Sequence, residues 1–249
     1  MNLIDKVIEK LGYVRKDAAP TLGKDMSDDA LFVRIAGRCQ PFTMTSPERM
    51  YSLYQSVRYL IANKLSGSFV ECGVWRGGSS MVMALTLQAL HENTRELFLY
   101  DTYEGMSAPG AEDVDLNQNA AGQLLEKSEK STESIIWAFA SLNDVQQNLG
   151  STGYPDGSIH YVQGKVEDTL PATLPGRIAL LRLDTDWYES TYHELTHLFP
   201  LVVPGGVVII DDYGHWQGAR KAVDQYLNEQ GLVPLLHRID YTGRVFIKI

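Results

Sequence analysis

The chain has few cysteines, a shortage of basic residues and no long apolar run. Two cysteines among 249 residues are too few for a disulfide framework or for a zinc site built from four thiolates. Lys and Arg number 22 against 31 acidic residues, which gives a net charge of -9. Because basic residues bind nucleic-acid phosphates and anionic membrane surfaces, we expect neither nucleic acid nor a membrane as a partner. A transmembrane helix needs about 18 consecutive apolar residues, and no such run is present.

The first residues also lack the continuous apolar stretch of a secretory signal peptide. In residues 1–17 the apolar side chains repeat at helical spacing instead, at Leu3, Ile4, Val7, Ile8 and Leu11. We therefore expect a short docking helix there. Cys72 falls between a predicted strand and a glycine-rich turn, which indicates a buried, reduced thiol. Together these features favour a cytoplasmic protein.

Strands and helices alternate along most of the chain. The predicted strands are hydrophobic runs at residues 68–72, 97–101, 159–162, 178–183 and 207–210. Helices are predicted at residues 46–63, 78–91, 188–198 and 217–229. Ser46 followed by Pro47 is a typical helix start. The alternation predicts a doubly wound α/β sheet, mostly parallel, with helices on both faces.

The C-terminal end departs from this alternation. Residues 235–239 and 244–249 are predicted as two strands joined by a tight turn at Asp240–Gly243, so we expect an antiparallel hairpin at one edge of the sheet. A doubly wound sheet with such a hairpin resembles the Rossmann-like fold of class I methyltransferases. We interpret residues 1–249 as one domain, with an N-terminal helical arm or cap at 1–63 and the core at 64–249.

One connection is unusually long. Between Asp101 and Ile159 lie 57 residues, far more than a crossover between parallel strands needs. Its first part, residues 107–126, contains Pro109, Gly110, several acids and amides, and few large apolar side chains. We predict that residues 107–156 form a lid insertion over the site; a disordered insertion without a role is the alternative.

A glycine-rich turn follows the first predicted strand. Gly73, Gly77 and Gly78 come after Glu71, and glycine there lets the backbone approach a ligand beside the N–H groups of the next helix. The spacing is not the G-x-G-x-x-G of dinucleotide binders, and no G-x-x-x-x-G-K-[ST] motif is present. Asp101 ends the second strand, where a carboxylate can accept ribose hydroxyls. These residues favour S-adenosylmethionine over a nicotinamide cofactor.

A second group of carboxylates follows two later strands. Asp184, Asp211 and Asp212 are oxygen donors at neighbouring strand ends, which suits Mg²⁺, Ca²⁺ or Mn²⁺ rather than zinc. Strand-end aspartates also cap helices, an explanation that we consider sufficient for one of the three. Asp186 lies just beyond the strand and is our candidate for the general base. His215 is the rival base, because its ordinary pKa suits the task.

Four segments carry a resemblance to a known family: residues 69–78, 100–106, 183–191 and 204–214. They resemble the macrocin O-methyltransferase family, whose members methylate sugar hydroxyls of macrolide and aminocoumarin antibiotics with S-adenosylmethionine and Mg²⁺. The resemblance runs from about Pro41 to the C-terminus. It implies that Asp184, Asp211 and Asp212 bind Mg²⁺, that Asp186 is the base, and that the protein is a homo-oligomer.

The resemblance also implies the residues of the cofactor site. Residues 71–75 would line the methionine part, Asp101 would hold the ribose, and residues 102–105 would border it. Gly164 and Lys165 would lie beside the adenine. The full set comprises Met44, Thr45, Glu71, Cys72, Gly73, Val74, Trp75, Asp101, Thr102, Tyr103, Glu104, Gly105, Gly164, Lys165 and Asp184.

The predicted function is therefore O-methylation of a hydroxyl on the sugar moiety of a glycosylated natural product, with S-adenosylmethionine and Mg²⁺. The nearest alternative is an O-methyltransferase of phenols or catechols, which needs a flat aromatic slot. Tyr51, Tyr54, Tyr103 and Trp187 could line either acceptor site. More distant alternatives are a metal-dependent hydrolase and a non-catalytic module that binds the cofactor.

Overall fold

A seven-stranded sheet is the centre of the computed structural model, which describes residues 22–131, 134 and 136–249. The strands are β1 Ser68–Cys72, β2 Leu97–Asp101, β3 Ile159–Gln163, β4 Ile178–Leu183, β5 Val202–Ile210, β6 His237–Arg238 and β7 Arg244–Ile247. Their order is β3-β2-β1-β4-β5-β7-β6; β1 to β5 are parallel, and β7 is antiparallel to both neighbours. The predicted doubly wound sheet with a C-terminal antiparallel edge is confirmed.

Helices cover both faces of this sheet. They are α1 Lys24–Ser27, α2 Ala30–Cys39, α3 Pro47–Ala62, α4 Gly78–Ala89, α5 Ala121–Glu126, α6 Leu142–Gly150, α7 Val166–Thr169, α8 Tyr188–Leu198 and α9 Gln217–Glu229. Short 3₁₀ turns lie at Gln40–Phe42, Asp156–Ser158 and Phe199–Leu201. The helix predicted within residues 1–17 lies outside the described residues. In the part of the chain that the structure describes, no helix combines the length and the apolar character needed to cross a bilayer.

The start of α3 shows how local sequence sets an element. The Ser46 hydroxyl accepts a hydrogen bond from the backbone N–H of Arg49 at 3.1 Å, and Pro47 occupies the first turn. The cap satisfies one of the N–H groups that a helix start leaves without a partner. The predicted start of this helix is thus confirmed.

Two hydrophobic clusters hold the helices against the sheet. On one face Phe69 packs in a cluster with side chains of α2, α3 and α4, and on the other Val70 packs with side chains of α8 and α9. Every residue of β1 is buried, as expected for a parallel strand covered on both faces. Full burial of a side chain such as Phe69 contributes roughly 1.5–3 kcal/mol.

The long connection after β2 is partly regular. Helix α6 is a crossover helix that packs on α4, with Val145 and Leu149 fully buried. Strand β5 begins at Val202, five residues before the predicted start at Val207, because Val202 pairs with Ile178 across a register shift. The strand predicted at 235–239 is shorter than expected, since only His237 and Arg238 pair with β7.

Candidate active site

A cavity of about 280 Å³ lies at the carboxyl ends of the parallel strands. From β1 the chain adds β2 and β3 on one side of the sheet, and it then adds β4 and β5 on the other side. The strand order therefore reverses between β1 and β4, and ligands of open α/β sheets bind at that point. Most of the predicted site residues line the cavity: Met44, Thr45, Gly73, Val74, Trp75, Asp101, Thr102, Gly105, Gly164, Lys165, Asp184, Asp186, Asp211, Asp212 and His215. Glu71, Cys72, Tyr103 and Glu104 are not among the lining residues.

The turn after β1 approaches the turn after β4 very closely. Gly73 has φ +80°, and a Cβ built there would collide with the backbone carbonyl of Asp184. The backbone N–H of Asp184 also donates to the carbonyl of Cys72 at 2.9 Å. Glycine at position 73 is therefore required both by its backbone conformation and by the space available.

Asp101, the last residue of β2, connects the turn after β1 with the turn after β2. Its Oδ2 accepts from the backbone N–H groups of Val74 at 2.6 Å and Trp75 at 3.1 Å, and its Oδ1 accepts from the N–H of Tyr103 at 2.7 Å. Burial raises the pKa of Asp101, and these donors oppose that rise. The Thr102 hydroxyl also lies 3.4 Å from Oδ1, but its proton is better placed for the carbonyl of Gly105 at 2.7 Å. Since a carboxylate has about four lone-pair sites, Asp101 keeps capacity for a further donor. The carboxylate predicted to hold a ribose thus also orders the glycine turn.

Glu71 lies beneath the cavity rather than in its wall. Its side chain is 1% exposed; Oε1 accepts from Arg182 Nη1 at 2.6 Å and Oε2 accepts from the Ser80 hydroxyl. Both carboxylate oxygens of Glu71 bind groups of the protein, and the cofactor contact that the resemblance implies for this residue stays a prediction. Cys72 is a buried free thiol, as predicted. Burial raises the pKa of this thiol, which makes it unreactive.

Arg182 is a functional residue that the sequence reasoning missed. It lies in β4 with a side chain that is 2% exposed, and it donates to Glu71, to Asp184 at 2.6 Å and to Asp211 at 2.7 Å. An arginine inside an otherwise apolar strand was the signal that could have revealed it. Since removal of one partner from a buried ion pair costs about 3–5 kcal/mol, this guanidinium stabilises the acidic end of the sheet.

Asp211 is held by two arginines. Its Oδ1 accepts from Arg182 Nη2, and its Oδ2 contacts Arg49 Nη1. By contrast, Asp184, Asp186 and Asp212 each place one oxygen within 4.8 Å of the others. Asp211 was predicted as a ligand beside Asp184 and Asp212; the structure pairs it with arginines and places Asp186 with the other two.

This group of three carboxylates fits a hard divalent cation. All its donors are oxygens, the ligand type that Mg²⁺, Ca²⁺ and Mn²⁺ prefer. Asp212 Oδ2 is buried and has no hydrogen-bond partner among the described residues. A buried anionic oxygen without a donor is costly, and a bound cation would remove that cost.

Asp186 has the unusual backbone and the shifted pKa of a functional residue. Its φ of +69° is left-handed, a conformation that is uncommon outside glycine. Burial, together with the charges of Asp184 and Asp211, raises the pKa of Asp186 to about 7, while a hydrogen bond with Asp212 opposes the rise. A carboxyl group with a pKa near neutrality is suited to take up a proton.

His215, the rival base, also lines the cavity. Its backbone N–H donates to the carbonyl of Asp212 at 3.0 Å, and its Nδ1 lies 3.5 Å from the Tyr241 hydroxyl. Burial lowers the pKa of His215, so the ring is neutral at pH 7. Both candidates therefore remain at the site.

The aromatic residues proposed for the acceptor wall lie elsewhere. Tyr51 and Tyr54 pack around Phe32, the Tyr103 hydroxyl donates to the carbonyl of Leu99, and buried Trp187 donates from Nε1 to the carbonyl of Ser107. None of the four lines the cavity: Tyr54, Tyr103 and Trp187 are buried, and Tyr51 is half-buried against the core. The large aromatic residues that line the cavity include Trp75, Trp216 and Tyr241.

The insertion after β2 is anchored beside the acidic group. Buried Asp113 accepts at Oδ1 from the backbone N–H of Tyr188, the first residue of α8, at 2.8 Å, and at Oδ2 from the N–H of Gly110 at 2.7 Å. The carbonyl of Val114 accepts from the N–H of Gln217 at the start of α9. The insertion thus caps helices that follow two strands of the site.

Comparison with known proteins agrees with this arrangement. The model of the family described as macrocin-O-methyltransferase (TylF) matches residues 20–248. The chain is 35% identical over 246 residues to the 8-demethyl-8-(2,3-dimethoxy-alpha-L-rhamnosyl)-tetracenomycin-C 4'-O-methyltransferase of Streptomyces olivaceus, covering 98% of this chain and 90% of that protein. It is 30% identical over 237 residues to the mycinamicin III 3''-O-methyltransferase of Micromonospora griseorubida, with 93% and 89% covered.

The solved structure of the O-methyltransferase NovP is similar to the chain with a TM-score of 0.72 at 30% identity. The match covers 83% of this chain and 82% of that one. Sequence family, relatives and fold agree over nearly the whole length, and we conclude that the chain belongs to the macrocin-O-methyltransferase (TylF) family and is an O-methyltransferase.

Proposed function

We propose that the protein uses S-adenosylmethionine and Mg²⁺ to methylate a hydroxyl on the sugar moiety of a glycosylated natural product. The observation that carries this proposal is a single cavity that joins the glycine turn and Asp101 to the oxygen-only group Asp184, Asp186 and Asp212. The relatives named for methylation of a rhamnosyl-tetracenomycin and of mycinamicin III support the class of acceptor.

The cofactor would be held along the turns that follow β1, β2 and β3. Asp101 has capacity for one more donor, Gly164 and Lys165 lie at the cavity wall after β3, and Met44 and Thr45 line it from the N-terminal side. Trp75 Nε1 is a buried donor without a partner among the described residues. When bound, S-adenosylmethionine supplies an electrophilic methyl group on a sulfonium.

The cation would be held by Asp184 and Asp212, with Asp186 at the same centre. Bound Mg²⁺ lowers the pKa of a coordinated hydroxyl and offsets the charge of the carboxylates. Asp186 takes the proton of the acceptor hydroxyl. Burial and the neighbouring carboxylates raise its pKa in the metal-free protein, and a bound cation would lower it. Asp211 binds Arg182 and Arg49 and thereby fixes the positions of the carboxylates at the ends of β4 and β5.

The acceptor would lie against His215, Trp216 and Tyr241. Tyr241 is 54% exposed at the turn of the β6–β7 hairpin, and its ring lies 6.0 Å from that of His215. Aromatic faces pack against the apolar faces of sugars as well as against phenols. The acceptor class is therefore tested directly, by a panel that contains both glycosides and catechols.

Calorimetric titration with S-adenosylmethionine, with and without Mg²⁺, followed by acceptor screening, tests the proposal. We expect micromolar cofactor binding and methylation of a glycoside that EDTA abolishes. Turnover of catechols alone would replace the sugar acceptor, and full activity in EDTA would refute the metal. Light scattering on the same sample tests the expected homo-oligomer.

A further inference from the structure

A buried glutamate of α8 reaches back to the turn that carries Asp184 and Asp186. Glu194 is 0% exposed, and its Oε1 accepts a hydrogen bond from the Thr185 hydroxyl at 2.9 Å. Thr185 lies between the two aspartates and lines the cavity. Glu194 itself is not part of the cavity wall. Its carboxyl also faces the buried Cys72 thiol, and Thr185 is its hydrogen-bonded contact in the cavity wall.

The surroundings of Glu194 favour a neutral side chain. Its Oε2 is buried without a hydrogen-bond partner among the described residues, and Arg182 does not contact it. Burial, with the negative charges of Glu167 and Asp184, raises the pKa of Glu194 well above its ordinary range. An uncharged acid in this place serves as a hydrogen-bond acceptor for Thr185 rather than as a counter-ion.

The turn that Glu194 contacts needs an anchor. Asp186 adopts a left-handed backbone with φ +69°, and such conformations cost of order 1–3 kcal/mol unless the surroundings hold them. The Thr185 carbonyl accepts from the Trp187 N–H at 2.8 Å, which fixes the following backbone. The Thr185 hydroxyl is the side-chain attachment of this turn to the helix beneath it.

We propose that Glu194 is a positioning residue for the acidic group: it holds Thr185 and so keeps Asp184 and Asp186 at the spacing that binds a divalent cation. This inference rests on the metal dependence in the proposed function. It adds a residue nine positions after Thr185 that touches neither the cofactor nor the acceptor. The effect belongs to metal binding, because most of the candidate cofactor residues lie in the turns after β1, β2 and β3 and do not contact Thr185 or Glu194.

The test uses four single variants of the full chain, Glu194→Met, Glu194→Gln, Thr185→Val and the control Thr196→Val, and one double variant. Thr196 lies on the same helix, and its hydroxyl makes only an exposed bond to the carbonyl of Tyr192. Mn²⁺ binding is followed by electron paramagnetic resonance of the free ion, and S-adenosylmethionine binding by calorimetry. Changes to groups that orient metal ligands cost about 10–100-fold in affinity.

We expect Glu194→Met and Thr185→Val each to weaken Mn²⁺ binding about tenfold or more while leaving the cofactor Kd within about twofold. Glu194→Gln retains an acceptor oxygen and should bind Mn²⁺ like the wild type, as should Thr196→Val. The double variant Glu194→Met with Thr185→Val should be no weaker than either single variant, because both remove the same hydrogen bond.

Unchanged Mn²⁺ binding in folded Glu194→Met, or in Thr185→Val if Glu194→Met does not fold, overturns the proposal. A Gln variant as weak as the Met variant also overturns it, since charge and not hydrogen bonding would then matter. If the wild type binds S-adenosylmethionine but not Mn²⁺, the metal in the proposed function is refuted and this inference falls with it.

Discussion

Asp211 and Asp212 are adjacent in sequence but have different surroundings. Asp211 is bound by two guanidinium groups, whereas Asp212 has a buried oxygen without a donor among the described residues. We expect Asp212→Asn to weaken Mn²⁺ binding at least about tenfold with little effect on stability. Asp211→Asn should lower the free energy of unfolding by about 3–5 kcal/mol, because Arg182 loses a buried partner.

Mn²⁺ titration and urea denaturation of both variants separate these roles. Equal losses of Mn²⁺ affinity in the two variants would mean that Asp211 is a ligand, as the family resemblance implied. The wild type measured in parallel gives the reference for both quantities.

The pKa of Asp186 makes the stability of the metal-free protein depend on pH. Its folded pKa of about 7 lies above the ordinary 3.8, so the folded state binds a proton that the unfolded state releases. This contribution to the free energy of unfolding is complete below the pKa that Asp186 has in the unfolded chain. It is lost as pH rises through the folded pKa of about 7. The raised pKa values of Asp184 and Asp212 act in the same direction. We therefore expect the Tm in EDTA to be lower at pH 8 than at pH 5.

Thermal denaturation between pH 5 and pH 8, with EDTA or Mg²⁺, measures this effect. Asp186→Asn cannot titrate and should show a smaller decrease, and Mg²⁺ should restore the Tm at pH 8. A wild-type Tm in EDTA that does not change over this range would contradict the prediction.

The strand-end aspartates could be predicted from the sequence because two simple rules place them. Hydrophobic runs locate the strands, and the carboxyl ends of parallel strands share one edge, so Asp184 and Asp212 had to meet. The partners of Arg182 and Glu194 could not be predicted in this way. Arg182 contacts Glu71 across 111 residues, and such pairing depends on strand order and register. The same limit applies to the two guanidinium partners of Asp211, whose predicted role as a metal ligand stays a prediction.

At the scale of elements, Asp240 ties the β6–β7 turn to the start of α3. Its Oδ1 accepts from the N–H groups of Thr242 at 2.9 Å and Gly243 at 2.7 Å, and its Oδ2 accepts from the Ser46 hydroxyl at 2.7 Å. Arg49 Nε lies 3.1 Å from the same Oδ2. We expect Asp240→Ala to lower the free energy of unfolding by about 2–4 kcal/mol, since several buried donors lose their acceptor.

Urea denaturation against Asp224→Ala provides the matched control. Asp224 pairs with Arg220 on the exposed face of α9 at 3.5 Å, and exposed pairs contribute about 0–1 kcal/mol. Losses of equal size in the two variants would show that the Asp240 contacts contribute no more than a surface pair.

Element ends were predictable where local chemistry sets them and not where pairing does. The limits of α8 and α9 and the cap at Ser46 agree with the sequence, because caps and apolar periodicity act within a few residues. The early start of β5 depends on its bonds with β4 and with the C-terminal residues, such as the N–H of Gly205 to the carbonyl of Lys248 at 2.7 Å. Nothing in a Pro-Gly-Gly sequence indicates such pairing.

At the scale of the whole molecule, we propose that the insertion closes over the cavity when cofactor binds. Asp113 anchors residues 107–120 to α8, and its loss would leave the backbone N–H of Tyr188 without an acceptor. We expect Asp113→Ala to increase hydrogen exchange in residues 107–120 and to leave exchange in β1 and α4 unchanged. S-adenosylmethionine should slow exchange in the same segment of the wild type.

Hydrogen exchange measured by mass spectrometry reports both effects in one experiment. Exchange in residues 107–120 that is insensitive to cofactor would argue against a lid. An Asp113→Ala variant whose exchange increases throughout the sheet would be destabilised globally. That result would contradict a local anchoring role for Asp113.

The contact between Gly73 and the carbonyl of Asp184 sets a practical limit on engineering this enzyme. Any side chain at position 73 would drive apart the turns that follow β1 and β4, so that position tolerates no variation. Trp216 and Tyr241 also line the cavity; Trp216 packs against Trp187, whereas Tyr241 is 54% exposed. Libraries that aim to redirect the enzyme to new acceptors should therefore vary those two aromatic residues and leave the glycine turn intact.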